Sequence, residues 1–254
     1  MLAAALAAGA ARSGAQTAPK SSYYELRYFR MRTDNSEQNR RTSQFLTRAY
    51  MPAAKRAGAG PIGLFSASIA PDAPFILRLS SYPSLATFEM VREKLADDAD
   101  YQKALADYNA NAEPGYLHMD SWLLRAFDFF PAIDAGPADA ARPARVFELR
   151  TYESLNETTM QQKIKMMGSG EVGIFRACGI TPIWFGEAIV GANMPHLTYM
   201  LGYESLAARE KQWAAFQANP DWLKLKASAE FSSPTLVTDV SNSMLSPVTG
   251  SDIR

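Results

Sequence analysis

The sequence predicts two consecutive α+β units, each of strand-helix-strand-strand-helix-strand order, and three observations lead to this reading. First, a shift of 121 residues lays PFILRLSSYPSLATFE (74–89) on PHLTYMLGYESLAARE (195–210), matching Pro74 with Pro195, Tyr82 with Tyr203, Ser84 with Ser205 and Glu89 with Glu210. Second, the same shift pairs Gly58, Pro61 and Ile62 with Gly179, Pro182 and Ile183, and a shift of 123 brings Glu25, Leu26 and Arg27 onto Glu148, Leu149 and Arg150. Self-similarity at a fixed spacing marks a tandem duplication. Third, FFPAIDAGPADAARPA is rich in Pro, Ala, Gly and Asp and carries neither helical nor strand period, so it reads as a linker over residues 131–144. The divisions that follow are a leader or disordered tail at 1–20, a first domain at 21–130, the linker, and a second domain at 145–254.

Within each copy the elements follow from local pattern. Residues 23–31 alternate as a strand, 37–57 form a helix, and 61–69 and 75–82 are strands joined by the turn residues APDAP. A second helix begins at Ser84, whose hydroxyl caps free N–H groups, and Ser205 does the same in the second copy. Asn219-Pro220 restarts that helix, with a cap followed by proline at the first helical position, where its missing N–H costs nothing. SWLLRAF at 121–127 closes the first copy, and SNSMLSPV at 241–248 is its weaker counterpart. The order βαββαβ is the ferredoxin-like unit, here written twice.

Composition narrows the function. The chain has 254 residues, 47% apolar and 20% charged, enough for a sizeable core. Lys plus Arg and Asp plus Glu each number 26 with no basic half, which argues against a nucleic-acid partner, since phosphate backbones ask for clustered cations. The single Cys178 forms no intrachain disulfide, and with only His118 and His196 beside it no metal site is expected. Residues 1–20, MLAAALAAGAARSGAQTAPK, resemble an export signal with small residues suited to cleavage near Ala11 or Ala15, so a periplasmic or secreted protein is expected. The missing basic start leaves a cytoplasmic protein with a plain tail as the alternative. No other window is long and apolar enough for a stable membrane span. A small-molecule ligand and a homo-oligomer are the partners the sequence allows.

One literal motif is set aside. GSGEVG at 168–173 fits GxGxxG, yet a dinucleotide site needs those glycines after a strand and opening a helix. Here they follow the helical run MQQKIKMM, so the match is read as chance.

ELRYF and ELRTY opening the halves, AGAGPIGLF and ACGITPIWF after the first helices, and LTYMLGYESLAAREKQWAAFQANPDW in the second half resemble the NIPSNAP proteins, of the dimeric α/β-barrel superfamily. The resemblance covers nearly all of 22–246. It implies two ferredoxin-like units whose sheets pack together as a barrel within one chain. It implies no agreed catalytic residues.

The repeated ELR places charge inside a strand. Tyr24, Leu26 and Tyr28 share one face, and Glu25, Arg27 and Phe29 the other. The apolar set suits contact with helices, which leaves Glu25, Arg27, Glu148 and Arg150 expected inside the barrel. Buried charges must be paired or meet a ligand. One reading is a Glu–Arg lattice across the pseudo-twofold axis that docks the halves; the other is that the arginines hold an anionic group bidentately, with Tyr152 beside Arg150 adding a hydrogen bond. Arg78, Tyr199 and Tyr203, on the third strands, are further pocket-lining candidates against a plain packing role. Trp213, Phe216 and Trp222 recur at helical spacing and read as core.

The expected function is therefore a barrel that binds a small organic or anionic ligand, with no cofactor. A cofactor-independent monooxygenase or isomerase is the alternative, with Glu148 and then Glu187 as the candidate base. A haem protein, with His118 or His196 as axial ligand, is the second alternative.

Overall fold

A computed structural model describes residues 21–34, 36–136 and 144–254. The expected leader and residues 137–143 of the expected linker lie outside the described residues. The first repeat contains β1 (Tyr23–Arg30), α1 (Ser36–Phe45), a π-helical turn (Leu46–Tyr50), α2 (Met51–Ala57), β2 (Ile62–Ile69), β3 (Phe75–Tyr82), α3 (Leu85–Asp97), α4 (Ala99–Asn109) and β4 (His118–Ala126). The second contains β5 (Val146–Glu153), α5 (Glu157–Met166), a π turn (Met167–Glu171), α6 (Val172–Ala177), β6 (Thr181–Val190), β7 (His196–Tyr203), α7 (Leu206–Ala218), α8 (Pro220–Lys226) and β8 (Asp239–Pro247).

The single helix expected at 37–57 is one helical run with a π turn inserted, and the second copy carries the same turn. Ser84 and Ser205 cap α3 and α7 by accepting from Thr87 N–H and Ala208 N–H at 3.0 and 3.1 Å. The restart expected at Asn219-Pro220 is the start of α8, where the Asn219 side chain accepts from the N–H groups of Asp221 and Trp222. Asp98 makes the equivalent restart in the first repeat, accepting from Tyr101 N–H at 2.9 Å.

All strand pairs are antiparallel, and the eight strands close a barrel in the order β1-β3-β2-β8-β5-β7-β6-β4. Each repeat supplies four adjacent strands ordered fourth, first, third, second. The barrel closes where β2 meets β8 and β4 meets β6, so no strand is left as an open edge.

Closure buries the inner face of the sheet, and the helices bury the outer face of β1, β3, β5 and β7. Tyr24, Leu26, Tyr28, Phe65, Leu77, Leu79, Phe147, Leu149, Trp184, Met200 and Leu245 form one cluster that fills the interior. Ile253 joins it, and Ile133 and Ala135, from the start of the expected linker, pack against it. Two further clusters lie outside the wall under the helices of each repeat. At about 1.5–3 kcal/mol for each fully buried large apolar side chain, the interior cluster contributes strongly to holding the two repeats together, alongside the β2–β8 and β4–β6 ladders.

The strand-face expectation is corrected here. Glu25 pairs in register with Ser80 and Arg27 with Arg78, on the face that carries Phe29 and Ile76 toward α2 and α3. Glu148 and Arg150 sit opposite Leu201 and Tyr199, which pack under α6 and α7. The ELR charges therefore lie outside the barrel wall, beneath the helices. Barrel strands have two buried faces, and the narrow interior takes the aromatic and aliphatic set while the roomier sheet-helix layer accommodates long ion pairs. The docking lattice is corrected with it, because each Glu–Arg cluster is contained in its own repeat. Charges that do bridge the repeats are Arg125–Glu187 at 3.4 Å and Lys55–Asp252 at 2.7 Å.

Candidate functional site

In the first repeat, β1 and β3 bring Glu25 beside Arg78, and the two side chains are 5% and 4% exposed. The Glu25 carboxylate accepts from Arg78, from Arg27 Nη2 at 2.5 Å, from Ser121 Oγ at 3.1 Å and from Tyr82 Oη at 3.4 Å. Burial pushes this carboxyl up, but the Arg78 and Arg27 charges outweigh it and hold the group below the usual carboxylate range. The Arg78 guanidinium lies 4.0 Å from the Tyr50 ring centroid, and Tyr50 is delivered by the π turn. Arg78 Nε is buried and has no hydrogen-bond partner.

These groups line a cavity of about 230 Å³ between the sheet and α3 and α4, where Arg92 and Tyr101 complete the wall. Arg92 is exposed and forms no ion pair among the described residues. Its lining thus carries three arginines against one glutamate. A cavity wall of net positive charge is equipped to hold an anion.

The second repeat repeats the cluster and closes it. Glu148, with a fully buried side chain, accepts from Arg150 Nη1 at 2.6 Å, Arg209 Nη2 at 2.7 Å, Trp213 Nε1 at 2.9 Å and Tyr203 Oη at 3.0 Å. Burial raises this carboxyl too, and the Arg209 hydrogen bond and Arg150 charge bring it below its ordinary range. Arg150 Nε donates to Tyr152 Oη at 3.2 Å and Tyr199 Oη at 3.0 Å, and its guanidinium lies 4.6 Å from the Trp213 ring centroid. Tyr152, expected to add a hydrogen bond to a ligand held by Arg150, instead accepts from Arg150 itself. A saturated, ionised Glu148 is an acceptor hub.

The remaining expectations fall as follows. Glu187, on β6, accepts from Arg125 and from Gln161 Nε2 at 2.5 Å, and lies at the β4–β6 seam away from both clusters. His118 is exposed at the start of β4, whereas His196 is fully buried, 5.0 Å from the Trp122 ring, with Nε2 unpartnered. GSGEVG lies within the helical run of α5, the π turn and α6, as its reading by context predicted. Trp213, Phe216 and Trp222 pack with Phe175 in the second helix-covered cluster. Gly170 and Gly173 line a larger cleft of about 600 Å³ on the outer side of these helices. The four charged residues lining it, Lys165, Asp221, Lys224 and Glu230, are all exposed, so it offers no preorganised charge.

Sequence reasoning missed Tyr50, Arg92, Tyr101 and Arg209. The one available signal was the mismatch between aligned repeats: Arg78 stands against Tyr199 and Arg92 against Trp213.

The NIPSNAP family profile matches residues 24–131 and 147–252. No curated protein matches the chain. Among solved structures, one from Fusobacterium nucleatum with a provisional monooxygenase name is similar at 10% identity and TM-score 0.59, covering 91% of this chain and 94% of that one. An anthrone oxidase-like protein is similar at 9% identity and TM-score 0.52, covering 91% and 93%. A NIPSNAP family protein of unknown function from Agrobacterium tumefaciens shares 18% identity, with TM-score 0.39, over 43% of this chain and 94% of its own. At these identities the first two likenesses show the fold alone.

Proposed function

The chain belongs to the NIPSNAP family, and on that premise we propose that it is a binding protein whose first repeat holds a small organic anion between the barrel wall and α3 and α4. The observation that carries this reading is a cavity lined by three arginines, Arg27, Arg78 and Arg92, against the single carboxylate of Glu25. Three arginines facing one carboxylate leave uncompensated positive charge that a bound anion neutralises. The expected residence of the ligand moves accordingly from the barrel interior to the sheet-helix layer.

The enzyme alternative, a cofactor-independent monooxygenase or isomerase, needs a base with a pKa near neutrality. Glu25, the carboxylate in the cavity, is held ionised by two arginines, and Glu148 is saturated by donors. That chemistry suits holding an anion more than taking a proton.

The test is thermal denaturation and calorimetric titration with acetate, benzoate, succinate and inorganic phosphate. Ligand at about 100 times its dissociation constant should stabilise the fold by about 2.7 kcal/mol. Arg92→Gln, which breaks no ion pair, should weaken the effect several-fold with unchanged apo stability. No stabilisation by any of the four anions, or an unaltered response in Arg92→Gln, would refute the proposal.

A further inference from the structure

The two repeats are aligned residue by residue, so the second shows what the first has left open. Arg27 corresponds to Arg150, Glu25 to Glu148 and, by the 121-residue shift, Arg92 to Trp213 at matching positions of α3 and α7. In the second repeat the Trp213 indole lies over the Arg150 guanidinium, centroid 4.6 Å away, and occupies the layer between wall and helix. In the first repeat no ring covers Arg27 among the described residues, and Arg27 lines the 230 Å³ cavity instead. The helix position that supplies the indole in one repeat supplies a solvent-facing arginine in the other.

From this juxtaposition we infer that the first-repeat cavity takes a small aromatic carboxylate, its ring lying on the Arg27 guanidinium as Trp213 lies on Arg150, and its carboxylate meeting Arg92. This deepens the anion-binding reading and rests on it. The size agrees: at about 30 Å³ for each water in the liquid, the cavity equals roughly eight waters, room for a ring system of about ten non-hydrogen atoms. The walls agree as well, because Tyr50, Tyr82 and Tyr101 surround the space with aromatic surface. A planar guanidinium prefers an aromatic face to an aliphatic one of the same area, through its attraction to the ring quadrupole.

The experiment is calorimetric titration of the full chain with benzoate, cyclohexanecarboxylate and acetate. Benzoate and cyclohexanecarboxylate differ in the ring electrons and little in size. Benzoate is expected to bind about fivefold or more tightly than cyclohexanecarboxylate. Equal affinities would overturn the aromatic assignment while leaving anion binding intact; no binding of any of the three would remove both.

Arg92→Trp places an indole where the second repeat already holds one, and is expected to abolish benzoate binding with the melting temperature preserved. Unchanged benzoate affinity in Arg92→Trp would overturn the inference. Arg27→Gln keeps a planar amide but removes the cation from beneath the ring, while Glu25 keeps its ion pair with Arg78. It is expected to erase the preference for benzoate over cyclohexanecarboxylate, and a retained preference would equally overturn the inference.

Discussion

Replacing Arg78 by methionine removes the cation from an ion pair whose side chains are 4% and 5% exposed. Stranding a buried charge typically costs about 3–5 kcal/mol. Glu25 keeps Arg27 at 2.5 Å and Ser121 at 3.1 Å, which places the expected loss at the lower end, about 3 kcal/mol near neutral pH. For a chain of this size that lowers the melting temperature by roughly 6–12 °C. The pH dependence follows from the same groups. In the wild type the Glu25 carboxyl is held below its ordinary range, so its stabilising contribution is present above the unfolded carboxylate pKa and is lost as pH falls. Burial is the largest influence on Glu25, and without Arg78 its main counterweight is gone, so the folded carboxyl moves upward. As that folded pKa rises, the stability that the ionised carboxylate contributes near neutral pH shrinks. The deficit of Arg78→Met should therefore be larger near pH 7 than in acid solution, where Glu25 takes up a proton and no charge is stranded. Adding Glu25→Gln should recover much of the loss, because no charge is then stranded. Urea unfolding followed by tryptophan fluorescence near pH 7 and in acid measures all three terms. A single-variant deficit below about 1 kcal/mol, or an equal deficit in the double variant, would refute the reasoning.

Two further outcomes are expected. Burial pushes His196 from 6.5 down to about 4, so its contribution is present above 6.5 and is lost as pH falls toward 4; this should cost the fold up to about 3 kcal/mol over that interval. His196→Gln should flatten the acid limb of the stability profile, and a normal histidine titration seen by NMR would contradict this. A Cβ at Gly173 would meet nothing within 4 Å, so Gly173→Ala should stabilise the helical run by about 0.5–1 kcal/mol without altering binding of any anion. Loss of stability in chemical denaturation would show that the glycine serves the backbone in some other way.

Much of the architecture was legible in the residues alone. The 121-residue shift carried the duplication, alternation and caps carried the elements, and Arg27 and Arg78, both named from sequence, line the same cavity. Alternation says which side chains share a face of a strand and leaves open which face turns inward. In an open sheet polarity settles that question, because one face meets water. In a closed barrel covered by helices both faces are buried, and here the apolar face of β1 and β5 fills the interior while the charged face lies under the helices. Which partner each arginine meets was equally beyond the sequence. Glu25 and Glu148 open identical motifs, yet Arg209 and Trp213 seal one cluster whereas Arg92 and Tyr101 leave the other open, and those four residues come from helices 61 to 76 positions further along the chain. The sequence by itself determined the repeat, the elements and the presence of buried charge. Only the tertiary structure decided where the charge faces and which repeat leaves a cavity beside its Glu–Arg cluster, because both depend on what packs across the sheet-helix layer rather than on what lies along the strand.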